Sequence, residues 1–424
     1  MEKKMENSLN AFELAGQIGQ LSLPAFAEVA KPVFEEFELC FASRLPLSPR
    51  FSDAPEMRCV QHLSLYWQRG YLKGVLMNMF AHCLPDDTYA PQTSRTAEMF
   101  FGSINGRGDA LAYPFFHQKD FCFVPELLAL LGSGGSLSDK VHIFNEVLEC
   151  QQIERSLVKF SSATPELRKE YENGKEGITL RGNTLQYLAN TAFIIATHPV
   201  NSETFEELNT DGFWDRLHTL QADIHDDLTQ EIFTGAMAPG NEFLSQEVAG
   251  LMSQLKEENV KMWQSRPNEM KQPPYNTVML PILTKASEYG KTMAQKMRVN
   301  LNQVIRLRIR GDITREVSAY KLLHPEISDE ELIKWTEGRM QHFFEFALSP
   351  NIGSDSVFES GRARAACIQS TIRNFKGKGK VKAQEILASM TKENYSKSTV
   401  NRALEYISQR PMNKTRDYGY YEIE

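Results

Sequence analysis

The chain has 424 residues, of which 42% are hydrophobic and 24% are charged, and its formal net charge is −7. This composition is typical of a globular protein with two or three domains, and no apolar run approaches the roughly 18 residues that a membrane-spanning helix needs. The 6 cysteines are scattered and form no pair or cluster at metal-binding spacing. They argue against a structural zinc site, and with a polar N-terminus that has no signal core they predict a reducing, cytoplasmic location.

Most of the sequence up to residue 348 repeats apolar side chains at the 3.6-residue period of amphipathic helices. The predicted helices cover residues 23–45, 57–83, 121–131, 138–160, 179–197, 210–234, 244–263, 278–298, 314–323 and 328–348. Residues 304–310 alternate apolar side chains with Arg306, Arg308 and Arg310, which fits either a strand with a cationic ridge or a basic helical turn.

The segment 265–275 contains three prolines and few core residues, and it is the best candidate for a linker. It would separate a helical body, residues 1–264, from a second helical segment, residues 276–360. Residues 361–424 would then form a separate C-terminal module. The expected fold class is therefore mainly α, with a large multi-helix body ahead of this module.

The C-terminal module contains the most informative stretch, residues 396–407, which read SKSTVNRALEYI. Val400, Ala403, Leu404 and Ile407 fall at helical spacing and form an apolar stripe, while the serines ahead of them suit a helix N-cap. Two short helices, 363–375 and 381–390, are predicted before this stretch, with a Lys/Gly loop between them. The Tyr-rich end of the chain is predicted to add a strand.

This order of elements, and the stretch 396–407 above all, resembles a winged helix-turn-helix domain. The resemblance implies duplex-DNA binding through the first turn of a recognition helix, with phosphate contacts from the Lys/Gly loop. The residues expected to contact DNA are Lys376, Lys378, Lys380, Lys397, Ser398, Thr399, Asn401 and Arg402. The module has 13 basic and 6 acidic residues, and this positive charge in an acidic chain suits a polyanionic partner. Winged helices also dock onto proteins, so a protein-interaction adaptor is an alternative.

Two enzyme classes with all-helical cores are further alternatives. His198 with the pair His225-Asp226 is similar to the metal ligands of an HD-type phosphohydrolase. His198-Pro199 after an apolar helix is similar to the start of the Fic-type transferase motif, but the glycine-rich phosphate loop of that motif is missing here. Gly290-Lys291-Thr292 lies in a helical pattern and lacks the leading glycine of a phosphate loop.

The sequence therefore predicts a DNA-binding regulatory or accessory protein whose helical body is a non-enzymatic scaffold, with no metal and no cofactor. A homodimer is also expected, because the predicted helix 57–83 carries Trp67, Met77 and Phe80 on more than one face. Pairing would also match the twofold symmetry of palindromic DNA sites.

Overall fold

The chain is described from a computed structural model. The described residues are 10–22, 26–90, 100–101, 103–104, 110–112, 119–132, 137–149, 152–155, 185–188, 190–200, 208, 212–222, 229–230, 233–234, 245–297, 301–305, 307–345, 367, 370–375, 378, 380–392, 395, 400, 403–404 and 420–422. They belong to two compact units. Unit 1 comprises Met1–His198, Glu207–Lys285 and Leu307–Phe343, and unit 2 comprises Pro199–Glu206, Ala286–Arg306 and Phe344–Glu424.

Helices make up most of the regular structure, as the sequence predicts. They are α1 (Ala11–Ser22), α2 (Ala27–Arg44), α3 (Lys73–Ala81), α4 (Leu127–Gly132), α5 (Leu137–Leu148), α6 (Gln246–Gln264), α7 (Leu280–Met297), α8 (Leu301–Val304), α9 (Leu307–Leu323), α10 (Asp329–Gly338), α11 (Met340–Glu345) and α12 (Ala383–Lys392). A 3₁₀ turn covers Trp214–Arg216, and a π-helical turn, Tyr275–Met279, precedes α7. Within the described segments, no helix combines the length and apolar character that a bilayer span requires.

The described residues also form eleven strands, and five of them belong to one parallel sheet. They are β1 (Leu63–Tyr66), β2 (Tyr89–Ala90), β3 (Ser103–Ile104), β4 (Ala110–Ala112), β5 (Phe121–Val124), β6 (Gln152–Arg155), β7 (Leu185–Leu188), β8 (Ala192–Thr197), β9 (His218–Gln221), β10 (Lys380–Lys382) and β11 (Tyr420–Glu422). The parallel sheet has the order β2-β5-β8-β1-β9, and every neighbouring pair in it runs parallel. The remaining strands form three antiparallel pairs, β3–β4, β6–β7 and β10–β11.

Several of the predicted helices are wrong in part, because strands lie within their ranges. The predicted helix 57–83 contains β1 and the shorter helix α3, the predicted helix 121–131 contains β5 and α4, and the predicted helix 179–197 contains β7 and β8. The predicted helix 210–234 contains β9. Every residue of β1, β5 and β8 is buried. A strand that is covered on both faces has no polar alternation, so its apolar run is easily taken for part of a helix.

This correction removes the argument for a dimer. Trp67, Met77 and Phe80 are all buried within unit 1, so their apolar side chains need no second copy of the chain to cover them. The homodimer stays a prediction without support from this helix.

Helix α2 forms the centre of the unit 1 core. It packs against α1, α9 and the strands β1 and β8. Its aromatic side chains meet those of the surrounding elements: Phe37 stacks on Phe80 with ring centroids 4.8 Å apart, and Phe41 stacks on Phe121 at 5.7 Å. These contacts fix α2 against the sheet through a layer of tightly packed rings.

Two further segments, the predicted linker around residue 270 and the arginine-rich segment around residue 307, have defined backbone structures. The backbone of the predicted linker bonds to residues 47–52, with Leu47 donating to the carbonyl oxygen of Pro267 and Ser52 to that of Met270. Residues 307–310 are helical within α9, so the strand interpretation with its cationic ridge is wrong. Arg308 contacts Glu149 instead.

In unit 2, the described C-terminal residues share a small core. Lys380 pairs with Glu422 and Lys382 with Tyr420 across β10 and β11. The buried side chains of this core are Cys367, Phe375, Val381, Ile386, Met390, Val400, Ala403 and Leu404. Three residues of the predicted apolar stripe are therefore buried, while Ile407 lies outside the described residues.

Candidate functional site

The carboxyl ends of three adjacent strands, β5, β8 and β1, meet at one edge of the parallel sheet. The chain leaves β1 towards the β2 edge and leaves β8 towards the β9 edge, so each connection passes the end of the other strand. Open parallel sheets bind their ligands beyond the carboxyl ends of their strands. The residues that follow the three strands here are Glu126 after β5, His198 after β8 and the loop 67–72 after β1.

The loop 67–72 turns the chain sharply from β1 into α3. Gly70 has a φ of 86° and Leu72 a φ of 61°. Gly70 adopts this left-handed region without cost, but for leucine it is strained. Strained residues of this kind concentrate where a loop is shaped for a ligand. Leu72 is the N-cap of α3 and its side chain provides no capping hydrogen bond, so the first turn of the helix keeps amides available for an anion.

Lys73 is the first residue of α3 and folds back over this loop. Its Nζ donates to the carbonyl oxygens of Trp67, at 2.6 Å, and Gln68, at 2.7 Å. The Trp67 indole in turn donates to the Tyr71 carbonyl oxygen over 2.8 Å. Burial, and then the neighbouring Arg69 cation, lower the pKa of Lys73 to about 8. The loop is thus closed on itself with an ammonium group at its centre.

Arg69 connects the other two strand ends. Its Nε donates to His198 Nδ1 over 3.1 Å, and its Nη2 lies 2.8 Å from Glu126 Oε1. Burial and the Arg69 charge lower the pKa of His198, which agrees with a ring nitrogen that accepts a hydrogen bond. The Arg69 side chain is 66% exposed, so its ion pair with Glu126 contributes little stability and can be exchanged for another anion.

These groups form a cationic site suited to phosphate. Lysine and arginine supply charge-assisted donors, and the N-terminus of α3 adds amides and a positive dipole end. The order strand, tight loop, lysine and helix is that of phosphate-binding loops. Three positions depart from the usual pattern: Trp67 and Leu72 stand where the two glycines would be, and Gly74 stands where a Ser or Thr hydroxyl would bind Mg²⁺.

The residues that the sequence predicts to contact DNA all belong to the C-terminal module, in unit 2. Lys378 is exposed, with its ammonium 5.3 Å from the centre of the Phe375 ring, and Lys380 begins β10. The other expected DNA contacts lie outside the described residues: Lys376, Lys397, Ser398, Thr399, Asn401 and Arg402.

His198, which both enzyme alternatives use, does not follow a helix as the sequence predicts. His198 follows a buried parallel strand, β8, rather than an apolar helix. His225 and Asp226 lie outside the described residues, so the metal ligand set remains untested. Gly290-Lys291-Thr292 lies within helix α7.

The sequence does not single out Lys73 as a candidate binding residue, because its pattern predicts one continuous helix over residues 57–83. A signal was nevertheless present: Gly70 and Gly74 flank Lys73 directly after an apolar run. Two glycines in five residues are unusual inside a helix and favour a turn.

No protein-family model matches the sequence, and no curated protein is significantly similar to it.

Proposed function

We propose that unit 1 binds a nucleotide through its phosphate groups at the carboxyl edge of the parallel sheet, and that the C-terminal module contacts DNA. The observation that carries the first part is the position of Lys73, at the start of a helix and directly after a tight loop that leaves a central parallel strand. A phosphate at this place would gain the lysine charge, the helix dipole and free amides at the same time.

The contacts of Arg69 at the neighbouring strand ends favour a nucleotide over a small anion as the ligand. Arg69 follows β1 and contacts His198, which follows β8, and Glu126, which follows β5. It can move to a second phosphate because its present partners are an exposed carboxylate and a neutral imidazole. Two cationic side chains in tandem suit a diphosphate or triphosphate chain.

The test is calorimetric titration of the full chain with nucleoside triphosphates, with and without Mg²⁺. Saturable binding is expected for the wild type, and Lys73→Met should weaken it at least tenfold. Lys271→Met is the matched control, since Lys271 is an exposed lysine far along the sequence from the loop, and it should bind as the wild type does. Equal affinity of the Lys73 variant and the wild type, or no saturable binding at all, would overturn the proposal.

The C-terminal module is the second part of the proposal, and it rests on its small core. Val400, Ala403 and Leu404 are buried against Ile386 and Met390 of α12, as a recognition helix packed on its preceding helix would be. The expected DNA contacts Lys397, Thr399, Asn401 and Arg402 fall off the helical spacing of this stripe in the sequence. The strand pair β10–β11 is compatible with a wing.

DNA binding would combine this helix with the exposed Lys378. In fluorescence anisotropy with labelled duplex DNA, the full chain should bind more weakly as salt rises, because Lys and Arg release counterions from phosphates. Arg402→Ala should reduce affinity by about 1–3 kcal/mol if the guanidinium contacts a base. Lys378→Ala should lower the salt slope by about one phosphate contact, and Lys271→Ala should change neither. Binding that ignores salt, or no binding, would favour a protein-docking role for the module.

These two parts together describe a nucleotide-binding regulatory or accessory protein that acts on DNA. Calorimetry and anisotropy test them separately, since the Lys73 variants and the Arg402 variants change different units.

A further inference from the structure

A buried cluster in unit 1, away from the loop 67–72, brings together charged side chains from four different elements. They are Glu36 of α2, His218 at the start of β9, Glu316 of α9 and Arg339 at the end of α10. Both glutamate side chains are 0% exposed, and those of His218 and Arg339 are 4% and 9% exposed. Ionised groups so deep in a core are costly unless their charges and hydrogen bonds are matched.

One arginine serves both carboxyl groups of this cluster. Arg339 contacts Glu36 Oε1 through Nη2 and Glu316 Oε1 through Nε. The second oxygen of each carboxylate is not used by the arginine and is open to another positive group.

Within the described part of the chain, five polar atoms of the cluster also lack hydrogen bonds, and two of them, Arg339 Nη2 and Glu36 Oε1, face each other as an ion pair. His218 Nε2 is 3.5 Å from Glu36 Oε1 and 3.9 Å from Glu316 Oε2, distances longer than a normal hydrogen bond. Among the described residues, no partner satisfies His218 Nε2, Glu36 Oε2 or Glu316 Oε2. Buried polar atoms almost always find a partner, so these orphans indicate a ligand between them.

The spacing of these atoms fits a metal ion. One ligand atom from each of Glu36, His218 and Glu316 lies within 4.8 Å of the others. A tetrahedral zinc ion with bonds of about 2.1 Å separates its ligand atoms by about 3.4 Å, so small side-chain shifts would close the site. One imidazole nitrogen and two carboxylate oxygens are ligands that zinc accepts readily, and the imidazole disfavours Mg²⁺ and Ca²⁺.

We propose that Glu36, His218 and Glu316 bind one divalent transition-metal ion, with zinc as the best match to this ligand set. Arg339 then keeps its contacts with Glu36 Oε1 and Glu316 Oε1 and orients both glutamates, as outer hydrogen-bond partners do at metal centres, while Oε2 of each glutamate is left for the ion. His218 also lines a small cleft that carries Glu149 and Asp312 together with four arginines, Arg58, Arg216, Arg308 and Arg315. The ion would join α2, α9 and the sheet at one point and stabilise unit 1.

The experiment measures zinc bound by the full chain, by elemental analysis after purification with added zinc and by competition with a chromophoric chelator. About one zinc per chain is expected for the wild type. His218→Gln and Glu316→Gln should each lose it, whereas His342→Gln, which replaces a neighbouring half-buried histidine of α11, should retain it.

If the variants do not fold, measurements on the wild type still test the proposal. Zinc should raise its unfolding temperature, and a chelator should reverse the rise. Substoichiometric zinc in the wild type, or full zinc binding by His218→Gln, would overturn the proposal. Stability that follows pH but ignores zinc would also overturn it and would assign the cluster to proton binding. None of these outcomes depends on nucleotide or DNA binding.

Discussion

Lys73 Nζ donates to the carbonyl oxygen of Trp67, six residues earlier in the chain, over 2.6 Å. This bond closes the loop between β1 and α3 around a positive charge, so the loop is already shaped before a ligand arrives. A preformed loop pays less ordering entropy on binding than a flexible one. The predictions below test this site and the core that supports it.

The affinity of the Lys73 site for phosphate ligands should fall as pH rises through about 8. Burial and Arg69 lower the pKa of Lys73 to about 8, and only the protonated amine attracts a phosphate. Triphosphates are almost fully ionised above pH 7, so loss of ligand charge cannot cause the decrease. Calorimetric titrations between pH 7 and roughly pH 9 should show a loss of about tenfold, because the protonated fraction of a group with a pKa of about 8 falls from about nine-tenths to about one-tenth. A constant affinity across this range would mean that Lys73 is not a ligand-binding group.

Replacing Arg69 with glutamine should raise the pKa of His198. Burial and the Arg69 cation together lower that pKa, and the substitution removes the cation that donates to His198 Nδ1. The histidine titration can be followed by NMR in the full chain. Arg310→Gln, on the exposed side of α9, is the control and should leave the His198 titration unchanged. A His198 pKa that stays the same or falls in Arg69→Gln contradicts the arrangement.

Glu38 should make the protein less stable as pH rises. Its carboxyl is buried beside Asn259, whose Nδ2 lies 3.4 Å from it, and burial raises its pKa from 4.5 to about 8. The folded state therefore binds a proton that the unfolded state releases between these two values. Stability from this group is complete below about pH 4.5 and is lost as pH rises through about 8.

Glu38→Gln should remove this dependence, because the amide stays neutral at every pH. At pH 8 the variant should be more stable than the wild type by roughly a few kcal/mol, in proportion to the pKa shift. Chemical denaturation at pH 5 and pH 8 measures the difference. Glu28→Gln, at an exposed position of the same helix, serves as control. An unchanged pH profile in Glu38→Gln would show that another group sets it.

Gly19 should tolerate no side chain. A methyl group there would lie 2.5 Å from the Ala30 carbonyl oxygen and 2.6 Å from the Lys31 Cα, so Gly19→Ala would force α1 away from α2. Overpacking of this kind costs about 1–3 kcal/mol. Gly250→Ala is the matched helical control, since a methyl group there meets nothing within 4 Å, and it should stabilise α6 by up to about 1 kcal/mol. Thermal unfolding compares the two, and equal effects would argue against the close approach of α1 and α2.

The sequence by itself determined the elements whose signals are local. A helix such as α10 begins at a capping box, with Ser328 and Glu331 bonded reciprocally, and amphipathic helices show their 3.6-residue period directly. Charge is also local information, so the basic C-terminal module stands out in an acidic chain. The apolar stripe of Val400, Ala403 and Leu404 is another local pattern, and these residues are buried. The DNA contacts drawn from the same stretch stay predictions.

Only the tertiary structure decided the rest. A strand such as β8 is buried on both faces, and its apolar run has no period that separates it from a helix. Parallel pairing joins residues far apart in the chain, such as Leu63 with Ile194 and His218, and no local pattern encodes that register. The groups around Lys73, and the buried cluster of Glu36, His218 and Glu316, come together only because the sheet and α2 place distant segments side by side.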